Sequence, residues 1–181
     1  MAEDVLAGKP FKRSQNAYDW LGSGIYFWKS NPSRGLDWAH ELQKRYKGTA
    51  SEIPEPYVIG AVIDLGYCLD LASDMGIEFV RAAHANFLES VKTSGREMPK
   101  NTGGSDLLQR NLDCAVINHI HFINKTSDQP EFETVRGVFL EGGRIYDDAG
   151  FFEKTHIQIC VRNLRNIKGM FRVNRDEDDP V

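Results

Sequence analysis

No apolar run in this 181-residue chain approaches the roughly 18 residues that a membrane-spanning helix needs. The first residues include Glu3 and Asp4, where an export signal would carry a basic region leading into an apolar one. Neither a membrane span nor a signal is therefore expected. Cysteine is scarce: Cys68, Cys114 and Cys160 are odd in number, far apart and set among apolar residues, the pattern of buried free thiols in a reducing cytoplasm. No Cys/His spacing suggests zinc, so no metal site is expected. Internal repeats and low-complexity segments are missing too, and one domain with one core is the expectation for this length. No hydrolase motif or phosphate loop stands in its required context. Gly22-Ser23-Gly24 has the spacing of a glycine-rich loop but precedes a strand instead of a helix.

The formal charge of -4 argues against a protein that simply coats nucleic acid. Charge is nonetheless segregated. Residues 161 to 175 hold Arg162, Arg165, Lys168, Arg172 and Arg175 with no acid, and Asp176-Glu177-Asp178-Asp179 follow at once. Either a solvated face with an acidic tail (176–181) or a basic rim for a polyanion accounts for this pattern.

What is present centres on the stretch from Tyr18 to Trp28, which is mostly apolar or aromatic. Its glycines, Gly22 and Gly24, stand where a backbone can approach a flat ligand or turn sharply into a strand. Ile25 to Trp28 reads as a short buried strand. A helix is predicted from about Ser33 to Tyr46, with Leu36, Ala39, Leu42 and Tyr46 on its inner face. Residues 57 to 65 are rich in β-branched side chains and read as a strand buried on both faces. A second helix is predicted from Asp74 to Val91, turning Ile77, Val80, Ala83, His84, Phe87 and Leu88 inward. Residues 92 to 106 form a long flexible stretch, a short helix is expected from Ser105 to Leu112, and residues 114 to 122 fit either helix or strand. Strands follow at 135–141, 155–161 and 167–173. The strand at 155–161 sets Ile157, Ile159 and Val161 on one face, and His156, Gln158 and Cys160 on the other. Helices interleaved with strands early, and strands clustered late, make an α+β domain over residues 1–175.

Two of these features together resemble a family. Leu21-Gly22-Ser23-Gly24-Ile25-Tyr26-Phe27, with a helix opening at Ser33-Arg34-Gly35-Leu36-Asp37-Trp38-Ala39, is similar to the middle motif of ADP-ribosyltransferases of the diphtheria-toxin and poly(ADP-ribose) polymerase branch. The stretch Val58 to Gly66 resembles that branch's next core strand. Gln158 stands nine residues before Ile167, the spacing of its final strands. Residues 11 to 173 as a whole are similar to a group of small uncharacterised bacterial proteins, with Tyr-Asp-Trp-Leu-Gly, Leu-Asp-Cys-Ala-Val-Ile-Asn and His-Ile-Gln-Ile-Cys-Val-Arg-Asn as hallmarks.

The resemblance implies an ADP-ribosyltransferase-like split β-sheet with flanking helices, and NAD, as substrate, in the cleft between the half-sheets. It implies transfer of ADP-ribose to a macromolecular acceptor, protein or nucleic acid, in a toxin or phage-defence setting with a neutralising antitoxin as possible partner. Tyr26 would be the nicotinamide platform and Gly24 the point of close approach. Ser23, Phe27, Gly35, Trp38 and His156 would border the ligand, and Gln158 would occupy the position of the catalytic glutamate. A glutamine lacks that residue's charge and is no general base. Glu141 and Glu153 are the nearby acids that could assist it. The family's first triad residue lies on a strand preceding the helix that here begins at Met1. A start codon upstream in frame, replacement by a residue such as Arg13, or loss of catalysis would each account for that. The alternative function is thus a catalytically inactive nucleotide- or partner-binding module of the same fold. By residue type alone, Trp20, Phe27, Trp28 and Trp38 also suit core packing, His119 and His121 suit structural roles, and Asp147-Asp148 suits a turn.

Overall fold

In the computed structural model, which describes residues 2–9, 11–104 and 106–173, the β-branched stretches gather into small open sheets backed by helices, an α+β arrangement. Ile25–Trp28 (β1), Cys68–Asp70 (β3), Thr134–Phe139 (β6) and His156–Val161 (β7) form a four-stranded sheet in the order β1-β7-β6-β3. The β1–β7 and β6–β7 pairs are antiparallel and β3 runs parallel to β6. Ile59–Ile63 (β2) and Ile167–Arg172 (β8) pair separately as an antiparallel ribbon. The predicted acidic tail and Arg175 lie outside the described residues.

After a short helix Ala2–Leu6 (α1), helix Pro32–Tyr46 (α2) starts where Asn31 accepts a hydrogen bond from the Arg34 amide at 3.0 Å and Pro32 takes a first-turn position that needs no donor. Its buried residues are Arg34 and Gly35, whereas Tyr46, expected inward, is exposed at the far end. Helix Asp74–Ser94 (α3) is capped by Ser73 and ends on Gly95, whose φ of 64° is the left-handed conformation that glycine tolerates best. Val80 and Ala83 pack on the core as predicted. Ile77 and His84 do not; both are exposed.

Residues 92 to 112 depart most from expectation. Three of them extend α3, and the rest include a hairpin of Asn101–Thr102 (β4) with Gln109–Arg110 (β5), so the expected helix is absent from residues 106–110 and only 111 and 112 are helical. Asn111–Thr126 (α4) is a helix, which resolves the ambiguity at 114–122. Its buried Cys114, Ile117, His121 and Asn124 recur at three- and four-residue steps. The hairpin supplies the cap that α4 lacks in its own sequence: the Asn101 side-chain oxygen accepts from the amides of Leu112 and Asp113 at 2.9 and 3.3 Å.

The core comprises Trp20, Leu21, Leu69, Ile117, Ile120, Phe132, Val135, Phe139 and Cys160, so the sheet's inner face is closed by α4 and by the stretch before β1. The ribbon β2–β8 lies outside it. Residues 57 to 65 are expected to be covered on both faces, but β2 is only half-buried and Val62 is 57% exposed, because among the described residues its only strand partner is β8.

Candidate functional site

Register decides which side chains meet. Trp28 pairs with Gln158 and Tyr26 with Cys160 across β1–β7, while Gly137 pairs with Gln158 and Phe139 with His156 across β6–β7. Because alternate residues share a face, Tyr26, Trp28, His156, Gln158, Gly137 and Phe139 all lie on one side of the sheet. The structure thus brings together Tyr26, Gln158 and His156 from sequence positions up to 132 apart.

Gln158 is half-buried, and its amide oxygen accepts the indole Nε1–H of Trp20 at 2.5 Å. Trp20 reaches it by crossing over Gly137; a β-carbon there would stand 2.5 Å from the indole ring. The Tyr26 hydroxyl accepts from the Leu21 amide at 3.0 Å and donates to the Gly22 carbonyl at 2.8 Å. Its ring packs against the core, and burial raises the phenol's pKa above its ordinary value. Tyr26 therefore clamps the glycine turn that precedes its own strand. Gly24 is pressed against β7: a β-carbon would meet Cys160 Sγ at 2.4 Å and the Val161 carbonyl at 2.8 Å. The Ser23 amide donates to Asn118 on α4 at 3.1 Å.

His156 is buried beneath Phe139, with ring centroids 5.4 Å apart. Its Nδ1 lies 2.6 Å from the Lys154 carbonyl, so Nδ1 carries the proton and Nε2 is left buried without a partner among the described residues. Burial lowers its pKa, and Arg34 nearby acts in the same direction. Arg34 itself is 6% exposed and donates from one Nη to both oxygens of the buried Glu141, at 3.0 and 2.9 Å. Glu141 is thus neutralised by an arginine before it could serve Gln158. Glu153 is exposed and accepts from the Gly143 amide at 3.1 Å. The three thiols are no better placed as nucleophiles, since burial raises each pKa, that of Cys160 to about 12.

Phe27, Ile25, Ile159 and Arg136 belong to the opposite face of the sheet, and there a cleft of about 780 Å³ separates the four-stranded sheet from the β2–β8 ribbon. Its walls are mainly apolar and aromatic, including Phe11, Phe27, Tyr57 and Phe171, with Lys29 and Arg136 as its cations. Among the described residues no carboxylate lines it. β1 is the edge strand, so Tyr26 and Trp28 also contribute to the cleft at that edge, and so does Gly35 of α2. Trp28 Nε1 is a buried donor with no partner among the described residues. Gln158 and His156 are not among the lining residues; they sit one strand inward, on the face of the sheet turned away from the cleft. Trp38 stands apart, half-buried between the guanidinium groups of Arg34 and Arg45, 6.0 and 5.6 Å from its ring.

Arg13, considered as a substitute for the first triad residue, donates to the Arg162 carbonyl at 2.8 Å. Among the described residues no group of three or more His, Cys, Asp and Glu side chains is arranged to hold a metal ion. No helix among the described residues is long and apolar enough to cross a membrane. Sequence reasoning missed Arg34 and Asn118 as structural keys of this region, since a helix-start arginine gives no local signal that it will be buried. No protein-family model, curated protein or solved structure matches the chain.

Proposed function

We propose that this chain is an ADP-ribosyltransferase-like domain of split-sheet architecture that binds NAD in the inter-sheet cleft and transfers its ADP-ribose to a protein or nucleic-acid acceptor. The observation that carries the reading is the pairing of Trp28 with Gln158 at the edge of an aromatic, dinucleotide-sized cleft, with Tyr26 diagonally adjacent on the same face. Small-molecule sites commonly occupy about 300–1,000 Å³ and are lined by apolar and aromatic groups with few polar ones. This cleft fits that description, and the unpartnered Trp28 Nε1–H offers a donor to a carboxamide or base. Lys29 and Arg136 are the cations available to a pyrophosphate.

NAD would supply the ADP-ribose, with nicotinamide as the leaving group. The protein's part is to hold the ring against the β1 edge; Gln158, on the far face of β7, would hydrogen-bond the adjoining ribose through its amide, without adding charge, only where the ligand reaches around that edge. A cytoplasmic setting, a toxin or phage-defence role and a neutralising partner belong to this proposal through the family resemblance.

A second reading, a nucleotide-binding module without turnover, is favoured by one contact: the Gln158 oxygen is already engaged by Trp20. Incubating the purified protein with NAD and measuring released nicotinamide separates the two. Release that is lost in Trp28→Ala and Gln158→Ala supports transfer; binding of NAD without release supports the module. Absence of both binding and release overturns the NAD reading.

A further inference from the structure

A second cavity, of about 320 Å³, opens on the core side of Trp20, between α3 and α4. Its floor is apolar, built from Leu71, Val80, Val116 and Ile117. Its polar groups are three basic residues, Arg81, His84 and Arg110, against one acid, Asp113.

Arg110 is the unusual member. Its guanidinium lies over the ring of Phe139 at 4.6 Å and that of Trp20 at 5.7 Å, which fixes its plane. Among the described residues it has few good acceptors: its Nε is buried without a partner, and its other contacts, to Asp113 and to the Asp106 carbonyl, are long at 3.5 and 3.4 Å. Asp113 offsets part of this positive charge as a long ion pair with Arg110 at 3.5 Å, and its other oxygen accepts from Asn101 at 2.9 Å. Arg81 pairs with Glu78 only at the exposed surface of α3, where exchange for another anion costs little. An oriented arginine with unused donors, further basic groups at the mouth and an apolar floor form a complementary set for an anion attached to a ring. A planar guanidinium favours oxyanions that accept two parallel bonds.

We infer that this cavity binds a planar ring bearing a phosphate, as a free mononucleotide or as the phosphorylated end of a nucleic acid. The site is separate from the inter-sheet cleft and does not depend on NAD binding. Trp20 forms its wall and also holds Gln158, so a ligand here lies one side chain away from that glutamine.

Calorimetric titration with AMP, adenosine, inorganic phosphate and the 5′-phosphorylated dinucleotide pApA tests the inference. AMP or pApA should bind at least about tenfold tighter than adenosine, and more weakly as salt is raised. Tighter binding of AMP identifies a free nucleotide as the source, and tighter binding of pApA a nucleic-acid end. Arg110→Gln should weaken binding about tenfold or more. The doubly exposed variant Arg81→Gln/His84→Ala, which leaves the core untouched, should weaken it about fivefold, and Phe171→Ala in the larger cleft should not change it. Equal affinity for AMP and adenosine, no binding of any phosphate probe at millimolar concentration, or loss confined to Phe171→Ala would overturn it.

Discussion

The indole of Trp20 donates to the side-chain oxygen of Gln158 across 138 positions of sequence, and it can do so because Gly137 between them has no side chain. A net contribution of about 1 kcal/mol is ordinary for such a bond. Trp20→Phe keeps an aromatic ring, though a smaller one, and removes the donor, and chemical denaturation should report a loss of about 1–2 kcal/mol or more. Gln158→Glu retains an acceptor and adds charge. Under the proposed reaction it should raise nicotinamide release about tenfold or more, since a carboxylate stabilises developing positive charge better than an amide.

Gly24 and Gly35 separate two meanings of a glycine. Gly24→Ala forces a β-carbon into Cys160 and the Val161 carbonyl, and overpacking against a strand backbone should cost about 1–3 kcal/mol. Gly35→Ala meets Trp28 and Val58 at 3.5 Å or more, an ordinary contact, within a helix that alanine favours by about 1 kcal/mol. Thermal melts should therefore show Gly24→Ala destabilised and Gly35→Ala unchanged or raised. NAD titration should show the reverse order of damage, because the added methyl of Gly35→Ala narrows the cleft.

Arg34 and Glu141 form an ion pair with side chains only 6% and 11% exposed. Removing one partner of such a pair leaves a buried charge and costs about 3–5 kcal/mol. Glu141→Leu alone should fall in that range by urea denaturation, and Arg34→Met/Glu141→Leu should recover most of the loss. Additive losses would show that the pair is not coupled.

Acid sensitivity follows from the histidines. Burial, with Arg162 nearby, pushes His121 from its ordinary 6.5 to about 3, and burial also lowers His156. The folded state then refuses protons that the unfolded chain accepts, so the stability these groups contribute is complete above about pH 6.5 and is lost as pH falls toward 3. Between pH 7 and 5, the unfolding free energy should decline with a slope reaching about 1.4 kcal/mol per pH unit for each fully shifted histidine. His121→Leu should flatten that slope; an unchanged slope would remove His121 as its source.

Strand and helix positions with strong local patterns were readable in the chain: Ile25–Trp28, the helix after Asn31, and the alternation of residues 156 to 161. Residues 105 to 112 were not. Their conformation depends on Asn101 capping α4 from a neighbouring strand, an interaction with no local signature. The strand at 57–65 was misjudged because β-branched content reports strand preference but not how many neighbours will cover it.

The candidate site divides in the same way. Residue type and spacing singled out Tyr26, Gly24 and Gln158, because aromatic faces, missing side chains and amides are chemical properties a residue carries with it; the expectation that they meet a nucleotide came from the family resemblance alone. Only the tertiary structure decided what each one touches. Strand register placed Tyr26 and Gln158 on one face, buried Gly24 against Cys160, gave Glu141 to Arg34 and aimed Arg110 at a cavity that no sequence spacing marked. Hydrogen bonds and ion pairs between residues more than a hundred positions apart are set by packing, and packing is a property of the whole chain.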